Sequence, residues 1–259
     1  MYLSYLLIDT GGNPDRPRPG RNWIGNIYNV HRRLSMGFPS NESLVNDPHN
    51  IQPFSKDMYQ KRPFLFRIDP QIGDNSQRAM IIVQSHIEPN WDYAFHNAKD
   101  FLATKPEVKL YQPQFLQEMH LRFRILVNPS TKSSIHKSTN LDTGEVSKHG
   151  KRIALTWDAG TSPQDAICDW FCAKTANLGF QVDDIILSRL NWVSGTKMIT
   201  DSYRPHQTEV NYHRLRFRAA LLEGTLLVND VDKFAACVAT GIGSGKSMGF
   251  GLLSVIAVG

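Results

Sequence analysis

His31 and Tyr28 are the residues of this sequence best suited to chemistry. They lie in the stretch NWIGNIYNVHRRL, residues 22–34. A histidine titrates near neutrality and can take or give a proton. A tyrosine three residues before it stands beside it on one helix face, where its hydroxyl can orient a reactant or exchange a proton. Arg32 and Arg33 follow directly, and cationic groups near a reacting phosphate stabilise the charge of its transition state. The set suits proton transfer at a phosphate without a metal. The same residue types also decorate an ordinary amphipathic helix, so the pattern alone leaves both readings open.

A second stretch, TGIGSGKSMGFGLLSV at residues 240–255, first resembles a phosphate-binding P-loop. Gly245-Lys246-Ser247 supplies the G-K-[ST] ending, but the pattern needs a glycine where Thr240 stands. A P-loop also joins a strand to a helix with further βα units behind it. The residues after Ser247 are mostly apolar and suffice for one strand. No H-x-x-x-H, H-E-x-x-H or G-x-S-x-G occurs, and no group of carboxylates suits magnesium. The sequence therefore calls for no metal and no cofactor. Cys168 and Cys172, four residues apart, read as helix packing rather than metal ligands.

Charge points to a polyanion. The chain has 259 residues and a formal net charge of +5. Arg122, Arg124, Lys132, Lys137, Lys148, Lys151 and Arg152 stand against only Asp142 and Glu145, so the segment 122–152 carries the whole excess. A surplus gathered in one segment suits nucleic acid; an ordinary solvated loop would read the same way. No run of apolar residues is long enough to cross a membrane. The first residues, MYLSYLLIDTGG, read as a strand and not as a secretion leader, which predicts a cytoplasmic protein with no membrane partner.

The elements that must position these residues follow from periodicity. Tyr2–Asp9 reads as a strand and Trp23–Met36 as a helix, with Trp23, Ile27, Val30 and Leu34 at helical steps. Residues 63–69 and 78–85 read as strands, 90–102 as a helix and 107–115 as a closing strand. The order β-α-β-β-α-β is the ferredoxin-like arrangement. It recurs: a strand at 118–127, a basic excursion at 128–152 read as a hairpin or finger with a turn at Asp142-Thr143-Gly144, a helix at 162–178 opened by Ser-Pro, strands at 180–193 and 212–228, a helix at 231–240 and a last strand at 250–258. The reading is α+β, two tandem ferredoxin-like domains, with residues 1–102 as the first, 103–117 as a link and closing strand, and 118–259 as the second. In the strand at 118–127, His120, Arg122 and Arg124 share one face, which is either solvent-facing or receives a charged ligand.

Several of these features line up with one family. The start MYLS, the helix with Y-N-V-H followed by R-R-L and G-F-P, the strand FRILVNP, the pair Lys151-Arg152 and the end GIGSGKSMGFGLLSV occur in order. The chain resembles the CasE family of CRISPR repeat-processing endoribonucleases, the type I-E members of the RAMP superfamily. The superfamily's loop G-h-G-x5-G-h-G is matched at every position by Gly241-Ile242-Gly243 and Gly249-Phe250-Gly251. The glycines missing from a P-loop thus obey another spacing.

The resemblance implies two ferredoxin-like domains and metal-free cleavage of precursor CRISPR RNA at the base of the repeat hairpin. It makes Tyr28 and His31 the catalytic pair. It implies that the enzyme stays on its crRNA product beside the backbone subunit of the Cascade complex, and so meets target DNA indirectly. The expected RNA contacts are Arg32, Arg33, Arg122, Arg124, Lys132, Lys148, Lys151, Arg152, Gly243, Lys246 and Ser247. Attack by a 2′-hydroxyl on the adjacent phosphate would leave a 2′,3′-cyclic phosphate, or the 3′-phosphate from its opening, and a 5′-hydroxyl. His31 would serve as base or as acid. A non-catalytic RAMP-type RNA-binding subunit is the alternative, and Tyr28 with His31 separates the two, because a scaffold has no need of both.

Overall fold

The computed structural model describes residues 1–11, 19–39, 64–70, 78–139, 146–199 and 211–258. The loops expected to be long, 11–22 and 40–62, fall largely outside these residues, as does the turn at Asp142-Thr143-Gly144. The first unit runs β1 (Tyr2–Asp9), α1 (Pro19–Ile24), α2 (Ile27–Ser35), β2 (Phe64–Pro70), β3 (Arg78–Ser85), α3 (Trp91–Ala94) and β4 (Glu107–Leu110). Its sheet has the order β2-β3-β1-β4 with every neighbour antiparallel. This is the ferredoxin-like order. Alternation decides the faces: Leu6 and Ile8 of β1 and Ile81 and Val83 of β3 are fully buried beneath the helices, while their neighbours turn to the other side.

The helix expected over Trp23–Met36 is two helices. Asn26 breaks them with extended backbone (φ −116°, ψ 96°), and its side chain accepts from the Tyr28 N–H to cap α2. Ile27, Val30 and Leu34 then bury against the sheet. The helix expected at 90–102 is also shorter, one turn of α3 and a 3-10 turn at Lys99–Phe101. Arg33 takes over the carbonyl at its end, donating to Ala94 O at 2.9 Å and to Asn97 Oδ1 at 2.7 Å.

The second unit runs β5 (His120–Val127), β6 (Ser130–Thr139), β7 (Val146–Ala154), α4 (Pro163–Thr175), β8 (Phe180–Ile199), β9 (Asn211–Val228), α5 (Val231–Thr240) and β10 (Leu253–Ala257). Its sheet order, β10-β5-β9-β8, repeats that of the first unit. Ser162 caps α4 through the Asp165 N–H, as the Ser-Pro opening predicts. The basic excursion is the antiparallel pair β6–β7, an insertion between β5 and α4.

Among the described residues the units meet at several places, including a buried bond from Gln84 Nε2 to Val238 O at 2.8 Å. Edge strand β2 faces edge strand β10, and Arg67, only 2% exposed, lies between them. Its guanidinium makes a two-pronged bond to Asp69 at 2.8 and 2.9 Å and donates to Arg124 O, Leu252 O and Ser254 Oγ. A buried charge is tolerable only when paired and bonded in this way. The glycine-rich loop lies against β2 and α2. A Cβ on Gly249 would stand 3.0 Å from the Phe66 ring, and its φ of +82° strains any side chain, so only glycine fits. Finally, β8 and β9 run on past their sheet as a long hairpin arm, and Val193 and Phe217 of this arm pack on the core of the first unit.

Candidate functional site

Helix α2 carries Tyr28 and His31 on a stripe beside its buried one. Both are partly exposed, whereas Val30 and Leu34 are not exposed at all. The His31 ring stacks on Phe64 of β2, centroids 5.8 Å apart and planes at 29°. Its Nδ1 is buried and has no hydrogen-bond partner among the described residues. Burial therefore disfavours the imidazolium and lowers the pKa from 6.5 to about 4. A neutral, half-sunk imidazole is a proton acceptor at pH 7.

Arg32 is exposed beside this pair. Arg33 is not available in the same way: it points to the α3 segment, where it holds Ala94 O and Asn97 Oδ1 and lies 5.9 Å over the Phe101 ring. Burial and the neighbouring Arg32 lower its pKa. Its place is that of a helix fastener rather than an open RNA contact.

The glycine-rich loop stands next to α2. Gly249 approaches the Ile27 side chain, and Met248 joins the core beneath the helix. Gly243 faces open space except for Trp170, and Ser247 is exposed. Lys246 has its Nζ 2.7 Å from the Thr240 carbonyl at the end of α5, where it complements the helix C-terminus. Ser244 bonds to Ser130 at 2.9 Å, which ties the loop to the base of the β6–β7 pair. There Lys132 and Arg152 stand directly opposite each other and are both exposed. Two like charges across a strand pair repel unless an anion lies between them. Lys148 and Lys151 are on β7 of the same pair.

Arg122 and Arg124 are elsewhere. They line a cleft of about 660 Å³ between the sheet faces that the helices do not cover, with Tyr5, Arg67 and Ser254. Arg124 is paired with Glu223 at 2.5 Å, and Ser188 and Arg124 together hold that carboxyl below the usual range. His120 lies 3.3 Å from Asp183. The structure does not bring this arginine face to His31.

One surface escaped the sequence reading. On the outward face of the arm, Arg214, Arg216 and Arg218 of β9 stand opposite Thr196, Ser194 and Trp192 of β8. Trp192 is 46% exposed. The Arg216 guanidinium lies 4.2 Å from its ring centroid, and Arg218 stacks between Trp192 and Trp157 at 5.0 and 4.4 Å. The residues paired with this row across the arm include no acid. The signal was present in YHRLRFRAALL, where arginines alternate with apolar residues, the pattern of a strand with one basic face. Guanidinium groups held over exposed indoles suit a phosphate backbone with bases to stack. Among the described residues no group of three or more His, Cys, Asp or Glu stands together to hold a metal ion, and no helix is long and apolar enough to cross a membrane.

Comparison with known proteins covers the whole chain. Residues 1–257 match the family described as CRISPR associated protein. The CRISPR-associated endoribonuclease Cse3 of Thermus thermophilus is 25% identical over 260 residues, spanning 98% of this chain and 99% of the relative. A structure of CRISPR endoribonuclease Cse3 bound to a 19 nt RNA superposes with a TM-score of 0.67 at 24% identity, covering 99% of this chain and 100% of that one. The CRISPR-associated protein Cas6e from Escherichia coli K-12 superposes with a TM-score of 0.53 at 21% identity over the full length of both.

Proposed function

The chain belongs to the CRISPR-associated protein family, and from that premise we propose that it is a metal-independent endoribonuclease that cleaves precursor CRISPR RNA at the base of the repeat hairpin. The observation that carries the proposal is α2: Tyr28 and His31 side by side on one face, with His31 buried enough to be neutral. The full-length similarity to an endoribonuclease supports it.

The chemistry follows from the protonation state. Neutral His31 takes the proton of the 2′-hydroxyl as its oxygen attacks the adjacent phosphorus. Because Nδ1 is buried, this role falls to Nε2. The P–O5′ bond breaks, and the leaving 5′-oxygen takes a proton from the Tyr28 hydroxyl or from water. A 2′,3′-cyclic phosphate and a 5′-hydroxyl result. Exposed Arg32 stabilises the phosphorane charge. The arm, the Lys132–Arg152 pair and the open backbone at Gly243 hold the RNA. Retention of the crRNA and membership of the Cascade complex belong to the same reading.

The test is incubation with repeat hairpin RNA in EDTA. Cleavage by the wild type to cyclic-phosphate ends, with loss in His31→Ala, is the expected result. Tight binding without cleavage would make the chain a scaffold instead.

A further inference from the structure

The arm of the second unit touches the first turn of α2 at Thr196, and Asn26 is the joint. Its Oδ1 accepts from Tyr28 N–H at 3.2 Å, which is ordinary helix capping. The same Oδ1 accepts from Thr196 N–H at 3.1 Å, and its Nδ2 donates to Thr196 O at 3.2 Å. β8 is the edge strand of its sheet, so Thr196 turns one N–H and one C=O outward with no strand to meet them. The carboxamide has the donor and acceptor of a peptide group and fills that place. A cap alone would need neither of these bonds. Gly195 shows how closely the two elements meet: a Cβ there would lie 3.1 Å from each of Asn26 Oδ1, Ile27 Cγ2 and Tyr28 N.

We propose that Asn26 is a positioning residue for the reaction at Tyr28 and His31. It fastens the edge of β8 to the start of α2, and so fixes where the pair stands against an RNA gripped by the Arg214–Arg216–Trp192 face. The catalytic helix and the gripping arm come from different units, and a displacement between them of about 1 Å would cost on the order of a hundredfold in rate. This rests on the endoribonuclease reading above.

Asn26→Asp separates fastening from capping. Aspartate caps a helix as well as asparagine, but it lacks the donor for Thr196 O and sets a carboxylate against that carbonyl. Single-turnover cleavage at saturating protein should fall by at least about tenfold in Asn26→Asp, with the RNA Kd within about twofold and thermal stability retained, as capping alone predicts. Gly195→Ala, which presses on the same joint from the arm, should show the same split between rate and affinity. Cleavage by Asn26→Asp at the wild-type rate, or a loss of rate matched by a loss of affinity, would overturn the proposal. If the wild type cleaves no repeat hairpin, the endoribonuclease reading fails and hydrogen exchange in the RNA-free protein decides the joint. Faster exchange of the 190–199 segment in Asn26→Asp supports fastening, and equal exchange overturns it.

Discussion

The two ferredoxin-like units share a strand order and differ in what they attach to it. In the first, β2-β3-β1-β4, the connection after β1 holds the short helix α2, which carries Tyr28 and His31 and is pressed on the sheet. In the second, β10-β5-β9-β8, the middle and edge strands β9 and β8 reach 18 and 20 residues and run past the sheet as an arm, and a basic hairpin was inserted after β5. The first unit buries a histidine until it is neutral. The second exposes arginines stacked on an indole, a surface suited to a polyanion. On the proposed function, one topology serves chemistry or grip according to whether its excursions fold inward or outward.

The largest expected break in this comparison is on the first unit. His31→Ala should lower single-turnover cleavage by about 10²–10⁴-fold and leave the RNA Kd nearly unchanged, measured by gel shift beside the cleavage time course. An equal loss of affinity would move His31 from chemistry to grip.

Next in size is the seam. Arg67→Met leaves Asp69 and the acceptors on β5 and β10 without their donor, and breaking such a buried pair costs about 3 kcal/mol. Urea unfolding should report that loss. Both units should be affected, because Arg67 belongs to β2 of the first sheet and its guanidinium bonds to β5 and β10 of the second.

The buried state of His31 gives a pH dependence with a definite sign. Folding lowers its pKa from 6.5 to about 4, so between these values the unfolded chain binds the proton and the folded one does not. Stability therefore rises with pH through that window, and acidification should cost the wild type up to about 3 kcal/mol more than His31→Gln. Parallel stability curves for the two from pH 7 to pH 4 would remove the buried-neutral assignment.

The smallest effect is on the second unit. Arg214→Gln with Arg216→Gln should weaken RNA binding by about tenfold and reduce the salt slope by about two. Cleavage at saturating protein should persist. A salt slope equal to that of the wild type would place the RNA elsewhere.

Local pattern carried much of this. The alternation in RAMIIVQS, the helical steps of Trp23, Ile27, Val30 and Leu34, and the spacing of the terminal glycines each report on neighbours a few residues away. They gave both βαββαβ orders and the position of Tyr28 and His31. The break at Asn26 was legible as a capping residue after a glycine, yet the apolar steps ran through it and concealed it. The helix expected at 90–102 stops early at α3, where Arg33 from another helix holds the Ala94 carbonyl, a contact local pattern does not report.

What the sequence determined by itself is thus the set of elements, the side-chain face each presents, and the residues able to carry chemistry. The tertiary structure alone decided their condition. It sank His31 against Phe64 and made it neutral, drew Arg33 and Lys246 into fastening helix ends, and turned Arg124 toward Glu223 on the far side of the sheet. It also brought Thr196 onto Asn26 across 170 residues of chain. The physical reason is range. Periodicity follows from bonds between near neighbours, whereas a pKa, a buried pair or a joint between strands depends on groups that only packing brings together.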